Sequence, residues 1–395
     1  MADREAAWGQ AESYLPMPVL PLSLYIHFPW CVRKCPYCDF NSHAVEEGGV
    51  PQRAYLDALL SDLSESADNV AGREVQSIFI GGGTPSLIEP DVLYKLLDGV
   101  AQHVIVCPDC EITLEANPGT FEKARFDAFK QAGVTRLSLG VQSLNDRHLK
   151  AIGRIHDAKQ ACSAIEVAQL LFETFNLDLM YALPGQTLEE LECDLREILS
   201  FNPPHLSIYH LTMEANTYFA KYPPIALPDD DLASQMLDLI GAQASIAGLE
   251  RYEVSAYAQQ GKQCRHNRHY WEYGDYLAIG AGAHGKLTFG DEINRFVKYR
   301  DPYLYMDKAM QCGATAAVEM VLSQERVFEF MLGSLRLKEG VPTTYFSERT
   351  GIAFEKMARQ RQKAIQLGLL CDDLGRIKAT EKGFDFLSDL QEIFL

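Results

Sequence analysis

Short apolar runs alternate with helix-period stretches along the first two thirds of this chain. The runs Leu22–Phe28, Ser77–Ile80, Glu111–Ala116, Arg136–Val141, Phe175–Met180 and His205–Leu211 read as strands. Helical patterns at Ala54–Val70, Pro90–Ala101, Phe121–Ala132, Ala158–Phe172 and Leu188–Ser200 lie between them, and Asp230–Ala247 follows the last strand. Strand–helix units in series predict parallel strands joined by right-handed crossovers. The unusual residues fall at the C-terminal ends of these strands: Cys31–Cys38, Gly81–Pro85, Glu115 with Asn117, Gln142 with Ser143, Asp178, and Tyr209 with His210. Six strand ends can serve one centre only if the sheet curves, so the pattern predicts an α/β fold with a partial (β/α)6 TIM-like barrel rather than a flat sheet.

The pattern changes twice more. Residues 259–315, rich in aromatics, His and Gly, predict a linking segment that crosses the barrel mouth. Residues 316–395 predict helices at Gln324–Leu337, Thr343–Thr350 and Ala353–Leu369, then a short hairpin and a last helix, a winged-helix-like module. From Val318 onward there are eleven Lys/Arg against twelve Asp/Glu, which implies no basic face and favours a lid or docking role over DNA binding. Residues 1–20 predict a flexible extension and 21–258 the barrel domain.

Charge narrows the class. A formal net charge of −18 repels nucleic acid at long range, so none is expected as a partner. The N-terminus lacks a basic start followed by an apolar run, and nowhere do eighteen apolar residues run together; a cytoplasmic protein with reduced thiols is expected.

The candidate chemistry starts from Cys31, Cys35 and Cys38 in WCVRKCPYCDF. Thiolates so close in sequence can converge on one soft metal centre. Three ligands on an iron–sulfur cubane leave one iron open to a small molecule. A zinc site is the alternative, with His27, His43 or Asp39 completing a tetrahedron. Gly81, Gly82 and Gly83 clear side chains from one strand end and let backbone approach a ligand. The phosphate-loop lysine is missing there. Glu115 suits ribose hydroxyls, or else an ion pair with Arg136 or Arg154, and Asp178 carries the same ambiguity. Gln142 and Arg154 can meet a polar ligand or each other, while Tyr25 reads by default as a core aromatic. His266, His269 and His284, with Tyr270 and Trp271, can ligate haem iron and cover a porphyrin face. Cys107 and Cys110 have no second pair and read as incidental.

These motifs carry a resemblance. C-x3-C-x2-C is the mark of the radical S-adenosylmethionine (SAM) superfamily. YIHFPWCVRKCPYCDFNSH, FIGGGTPSL, EANPGT, LSLGVQSLNDRHLKAIGRIH and FNLDLMYALPGQT are similar to the branch containing oxygen-independent coproporphyrinogen III oxidase. The oxidases carry a fourth cysteine two residues after the third, where this chain has Phe40, and H-N-x-x-Y-W at His266–Trp271 resembles the segment tied to haem binding in HemW-type haem chaperones.

The resemblance implies a [4Fe–4S] cluster on Cys31, Cys35 and Cys38, with SAM on the open iron. It implies SAM contacts from Tyr25, Gly82, Gly83, Thr84, Glu115, Gln142, Arg154 and Asp178. It also implies haem as cargo, a haem-acceptor protein such as a membrane respiratory enzyme reached at the inner membrane, an electron donor, and a homodimer as one candidate assembly. Radical decarboxylation of coproporphyrinogen III is the enzymatic alternative, and a haem-opening radical methyltransferase a weaker third.

Overall fold

The computed structural model of the chain describes residues 14–120 and 123–395. Six strands run parallel in chain order: β1 (Leu22–Phe28), β2 (Glu74–Gly82), β3 (Ile105–Ala116), β4 (Arg136–Gln142), β5 (Thr174–Tyr181) and β6 (His205–His210). The helices that return the chain are α1 (Gln52–Ala67), α2 (Pro90–His103), α3 (Lys123–Gln131), α4 (Ala158–Leu171) and α5 (Leu188–Ser200), and α6 (Asp230–Ile246) follows β6. The start of the helix expected from Phe121 lies outside the described residues.

Local sequence sets these elements. Asp157 with Gln160 and Thr187 with Glu190 form reciprocal capping boxes that satisfy the first amides of α4 and α5. On α5, Leu191, Leu195 and Ile198 share one buried stripe at helical spacing. On β1, Leu22, Leu24 and Ile26 are buried towards the helices, while Tyr25 and His27 point the other way. From β1 to β6 there are five inter-strand steps, about 24 Å if the sheet were flat. A single cavity is nevertheless lined from the loop after β1 to the end of β6, so the sheet curves into the expected partial barrel.

Within the segment 259–315, one part reaches the cysteine loop, where the Asn41 amide donates to the carbonyls of Ala281 (2.9 Å) and Arg300 (2.9 Å), while the part that carries His266 and His269 lies elsewhere. Helix α7 (Arg265–Trp271) closes the opposite end: the Arg265 amide donates to Glu111 Oε1 (3.0 Å), and His266 Nδ1 lies 3.0 Å from Ser77 Oγ, well before the rim ends of β3 and β2. The chain also extends the sheet. Counting β7 (Glu250–Arg251), β8 (Ala256–Ala258), β9 (Asp275–Ile279), β10 (His284–Phe289), β11 (Glu292–Lys298) and β12 (Thr315–Met320), the order among the described residues is β12-β11-β10-β9-β1-β2-β3-β4-β5-β6-β8-β7. Strand β9 is masked in sequence because it opens on Asp275, a polar residue in a strand core. There the carboxylate is buried and paired with Arg73 (2.9 Å) and Lys286 (3.0 Å), a contact visible only after folding.

The C-terminal part packs α8 (Ser323–Ser334), α9 (Thr343–Thr350) and α10 (Ala358–Gln366) around Phe330, Met331, Leu335 and Phe346. Arg376–Ile377 pairs antiparallel with Val341–Pro342 as a small wing. Of the leader expected to be flexible, residues 1–13 lie outside the described residues. The part that follows is not loose: the Leu15 amide donates to the Gly351 carbonyl (2.8 Å), and the Arg326 guanidinium sits 4.3 Å from the centre of the Tyr14 ring. Among the described residues no helix is long and apolar enough to cross a membrane.

Candidate functional site

Backbone hydrogen bonds hold the cysteine loop in place. Cys31 ends a two-residue strand, Trp30–Cys31, that pairs in parallel with His43–Ala44. The His43 amide donates to the Pro29 carbonyl (2.7 Å) and the Val45 amide to the Cys31 carbonyl (2.9 Å), pinning the loop at both ends. Lys34 Nζ reaches across to the carbonyls of Phe40 (3.1 Å) and Ser42 (3.2 Å). Below it, Tyr37 packs on a small apolar cluster of Ile152, Met180, Leu183, Leu211 and Phe219. Cys31, Cys35 and Cys38 thereby line one cavity of about 480 Å³.

Burial raises the Cys31 and Cys38 thiols above the ordinary range, offset in part by the Thr84 hydroxyl at Cys31 and the Phe40 amide at Cys38. The zinc alternative loses one of its three added ligands. His27 is fully engaged: Nε2–H donates to the Asn41 carbonyl (2.8 Å) and Nδ1 accepts from the Tyr25 hydroxyl (2.9 Å). Burial pushes its pKa down to about 4. Among the described residues no three His, Cys, Asp or Glu gather around a point where a single ion would sit. Three free thiols on one cavity wall are the donor set that an iron–sulfur centre takes.

The glycines pack β2 against this loop. An added Cβ at Gly82, whose φ is +114°, would sit 2.4 Å from the His27 ring, and one at Gly83 would sit 2.5 Å from the Trp30 carbonyl. The Gly83 and Thr84 amides donate to the carbonyls of Phe28 (2.7 Å) and Trp30 (2.8 Å). Gly82, Gly83 and Thr84 all line the cavity.

The inward face of the barrel follows strand alternation. β4 contributes Arg136, Ser138, Gly140 and Gln142; β5 contributes Asn176, Asp178 and Met180; β6 contributes Ser207 and Tyr209. Gln142 adopts a left-handed φ of +68° at a register shift between β4 and β5, a local bulge that turns its side chain into the cavity. Arg154 donates to the Gly140 carbonyl (2.6 Å) and reaches Cys35 Sγ (3.7 Å). A Cβ at residue 140 would meet the Arg154 and Gln142 side chains at 3.0 Å, so both would have to shift to admit one.

Glu115 Oε2 accepts the Gly82 amide (3.1 Å), and among the described residues the ion pair weighed with Arg136 or Arg154 does not form. Burial, reinforced by the Asp178 charge, pushes Glu115 up to about 8. Burial also pushes Asp178 up to about 6, despite hydrogen bonds from Asn176 (2.7 Å) and Ser138 (3.4 Å). At neutral pH Glu115 is thus largely a protonated acid that both donates and accepts, suited to hydroxyl pairs, and Asp178 is largely ionised.

The structure brings together Cys31, Cys35, Cys38, Gly82, Gly83, Thr84, Glu115, Gln142, Arg154 and Asp178. Tyr25 stands apart from that lining: it faces the barrel interior, its ring 6.3 Å from Phe79. The three histidines do not converge. His266 is lodged in the barrel floor, its ring 5.1 Å from Phe79, and burial pushes its pKa down to about 3. His269 is buried below the floor with Nε2 on the Asp275 carbonyl (2.6 Å). His284 is exposed at the start of β10, beside the rim. Sequence reasoning missed Ser138, Asn176, Ser207 and Asn267 as lining residues, although the period-two pattern of β4 to β6 carried the signal for the first three.

Comparison with known proteins agrees with this geometry. A profile of the Radical SAM superfamily matches residues 25–198, and one of the HemN C-terminal domain matches residues 321–386. The chain is 47% identical over 377 residues to the protein named Heme chaperone HemW from Escherichia coli (strain K12), spanning 95% of this chain and 98% of that one. It is 46% identical over 393 residues to the HemW of Haemophilus influenzae (strain ATCC 51907 / DSM 11121 / KW20 / Rd), spanning 96% and 99%. Among solved structures, the coproporphyrinogen III oxidase HemN from Escherichia coli, a radical SAM enzyme, superposes with a TM-score of 0.80 over 100% of this chain and 92% of that one, at 23% identity. That likeness speaks for the fold.

Proposed function

The chain belongs to the HemW family of haem chaperones within the radical SAM superfamily, and from that premise we propose that it binds haem and passes it to an acceptor protein. The observation that carries this is identity at 47% spanning 98% of a HemW protein, against 23% for the oxidase of like fold. Phe40 supports the same side: it is 60% exposed on the cavity lip, where the oxidases have a fourth cysteine.

Cys31, Cys35 and Cys38 would hold a [4Fe–4S] cluster, which supplies electrons one at a time to a bound SAM. Gly82, Gly83 and Thr84 offer backbone and hydroxyl contacts to SAM. Glu115 would receive ribose hydroxyls, and Gln142, Arg154 and Asp178 the polar groups of the methionine end. In this reading the cluster tunes assembly or transfer, and no porphyrin is oxidised. Of the three candidate histidines, His284 alone is exposed, so it is the one that reaches haem iron without local opening. The acceptor proposed is a membrane protein of the respiratory chain, met peripherally from the cytoplasm, with a separate electron donor serving the cluster.

Anaerobic incubation of reconstituted protein with SAM, reductant and coproporphyrinogen III tests the division between carrier and catalyst. No protoporphyrinogen is expected, and its appearance would sink the pure carrier reading. In Soret titrations His284→Ala should weaken haem binding while His266→Ala and His269→Ala change it less. A reversed order would move the haem site to the floor helix.

A further inference from the structure

The cavity has a second end. Along β4 the inward residues run from Gln142 at the rim down to Arg136 at the first strand position, about 20 Å of strand. Arg136 is only 2% exposed, yet it lines the cavity. Its Nε has no hydrogen-bond partner, and among the described residues its guanidinium enters no ion pair or side-chain hydrogen bond. Glu111 and Asp178 influence it from beyond contact distance. Glu111 already accepts the amides of Arg265 (3.0 Å) and His266 (3.3 Å), and Asp178 already accepts from Asn176 and Ser138.

The neighbours are otherwise saturated. Asn176 donates to Ser138 Oγ (2.8 Å) and Asp178 (2.7 Å) and accepts from His205 (2.6 Å) and Ser207 (3.0 Å). Asn267, brought to the cavity by α7, lines it with a side-chain amide that makes no hydrogen bond to the protein among the described residues. A buried guanidinium without a close counter-charge is costly, and its planar fork matches a carboxylate.

We propose that Arg136, with the Asn267 amide beside it, forms a carboxylate-binding subsite at the barrel floor, distinct from the cysteine rim. The ligand class is an organic acid whose body fills the cavity and whose carboxylate points down. Two sources share that chemistry, a porphyrin propionate and the amino-acid carboxylate of a nucleoside. The first deepens the haem-carrier reading and rests on it; the second does not.

The experiment measures dissociation constants of wild-type and Arg136→Gln cluster-loaded protein for four probes: haem, haem dimethyl ester, SAM and decarboxylated SAM. Loss of about ten-fold or more for one acid, with no loss for its carboxylate-free partner, is expected and names the source. Asn267→Ala, a milder change at the same floor, should weaken the same acid and spare the same partner, which keeps the test open if Arg136→Gln does not fold. Wild-type protein that binds each acid no better than its carboxylate-free partner overturns the subsite. So does a folded Arg136→Gln protein that binds all four probes as wild type does. Absence of any haem binding by wild type would instead overturn the carrier reading and leave the SAM pair to decide the subsite.

Discussion

Cys35 and Glu115 carry the sharpest expectations for single side chains. Replacing Cys35 with Ser removes a thiolate ligand, since a hydroxyl is not ionised at neutral pH. Iron content and the brown cluster absorbance of anaerobically reconstituted protein should fall to background. Cys110→Ser, in the middle of β3 and outside the cavity lining, should leave both unchanged. Glu115 titrates near 8 when folded, against an ordinary value of about 4.3. Between those values the folded protein holds a proton that the unfolded chain has released. Its contribution to stability is therefore full below about pH 4 and is lost as the pH rises through about 8. Glu115→Gln stays neutral throughout, so its melting temperature should gain on wild type from about pH 5 to pH 9. A gap that does not change with pH would show that Glu115 is solvated. The identity of these residues was legible in the chain, because cysteine spacing and a carboxylate at a strand end are local facts. The direction of the Glu115 shift was not, because it depends first on complete burial in the folded barrel and then on Asp178 two strands away.

The strand end at Gly82 and the strand start at Asp275 test how the elements are held. Gly82→Ala would force a left-handed φ on alanine and drive a Cβ into a His27 ring held by two hydrogen bonds. A cost of about 1–3 kcal/mol is expected from the backbone alone, read as a lower denaturant midpoint with impaired cluster reconstitution. Asp275→Asn leaves Lys286 and Arg73 buried without their shared counter-charge, and unfolding titrations should register a loss of about 3–5 kcal/mol. A loss well under this would mean that the site is wetter than its burial implies. Strands β1 to β6 were readable because their apolar runs are continuous, as parallel strands buried on both faces require. Strands β9 to β12 were not. Asp275, Lys286 and Lys298 break the apolar pattern, and each becomes tolerable only through a partner on another element, Lys298 through Asp62 at 2.6 Å.

Taken as a whole, the chain carries a strongly negative field. At a net charge of −18, approach to an anionic lipid surface is repelled, so any membrane contact should run through an acceptor protein. Little sedimentation with phosphatidylglycerol vesicles is expected at low salt, and strong sedimentation there would contradict it. By itself the sequence established the parallel strand–helix series, the three thiols, the glycine run and the strand-end polar residues, because each rests on neighbours within a few positions. Tertiary structure alone decided that α7 closes the floor rather than the mouth, that the three histidines stand apart at two ends of the barrel, and that Arg136 reaches the cavity without a close partner. Those outcomes depend on the path of the chain after β6 and on contacts between residues far apart in sequence, and no local pattern encodes them.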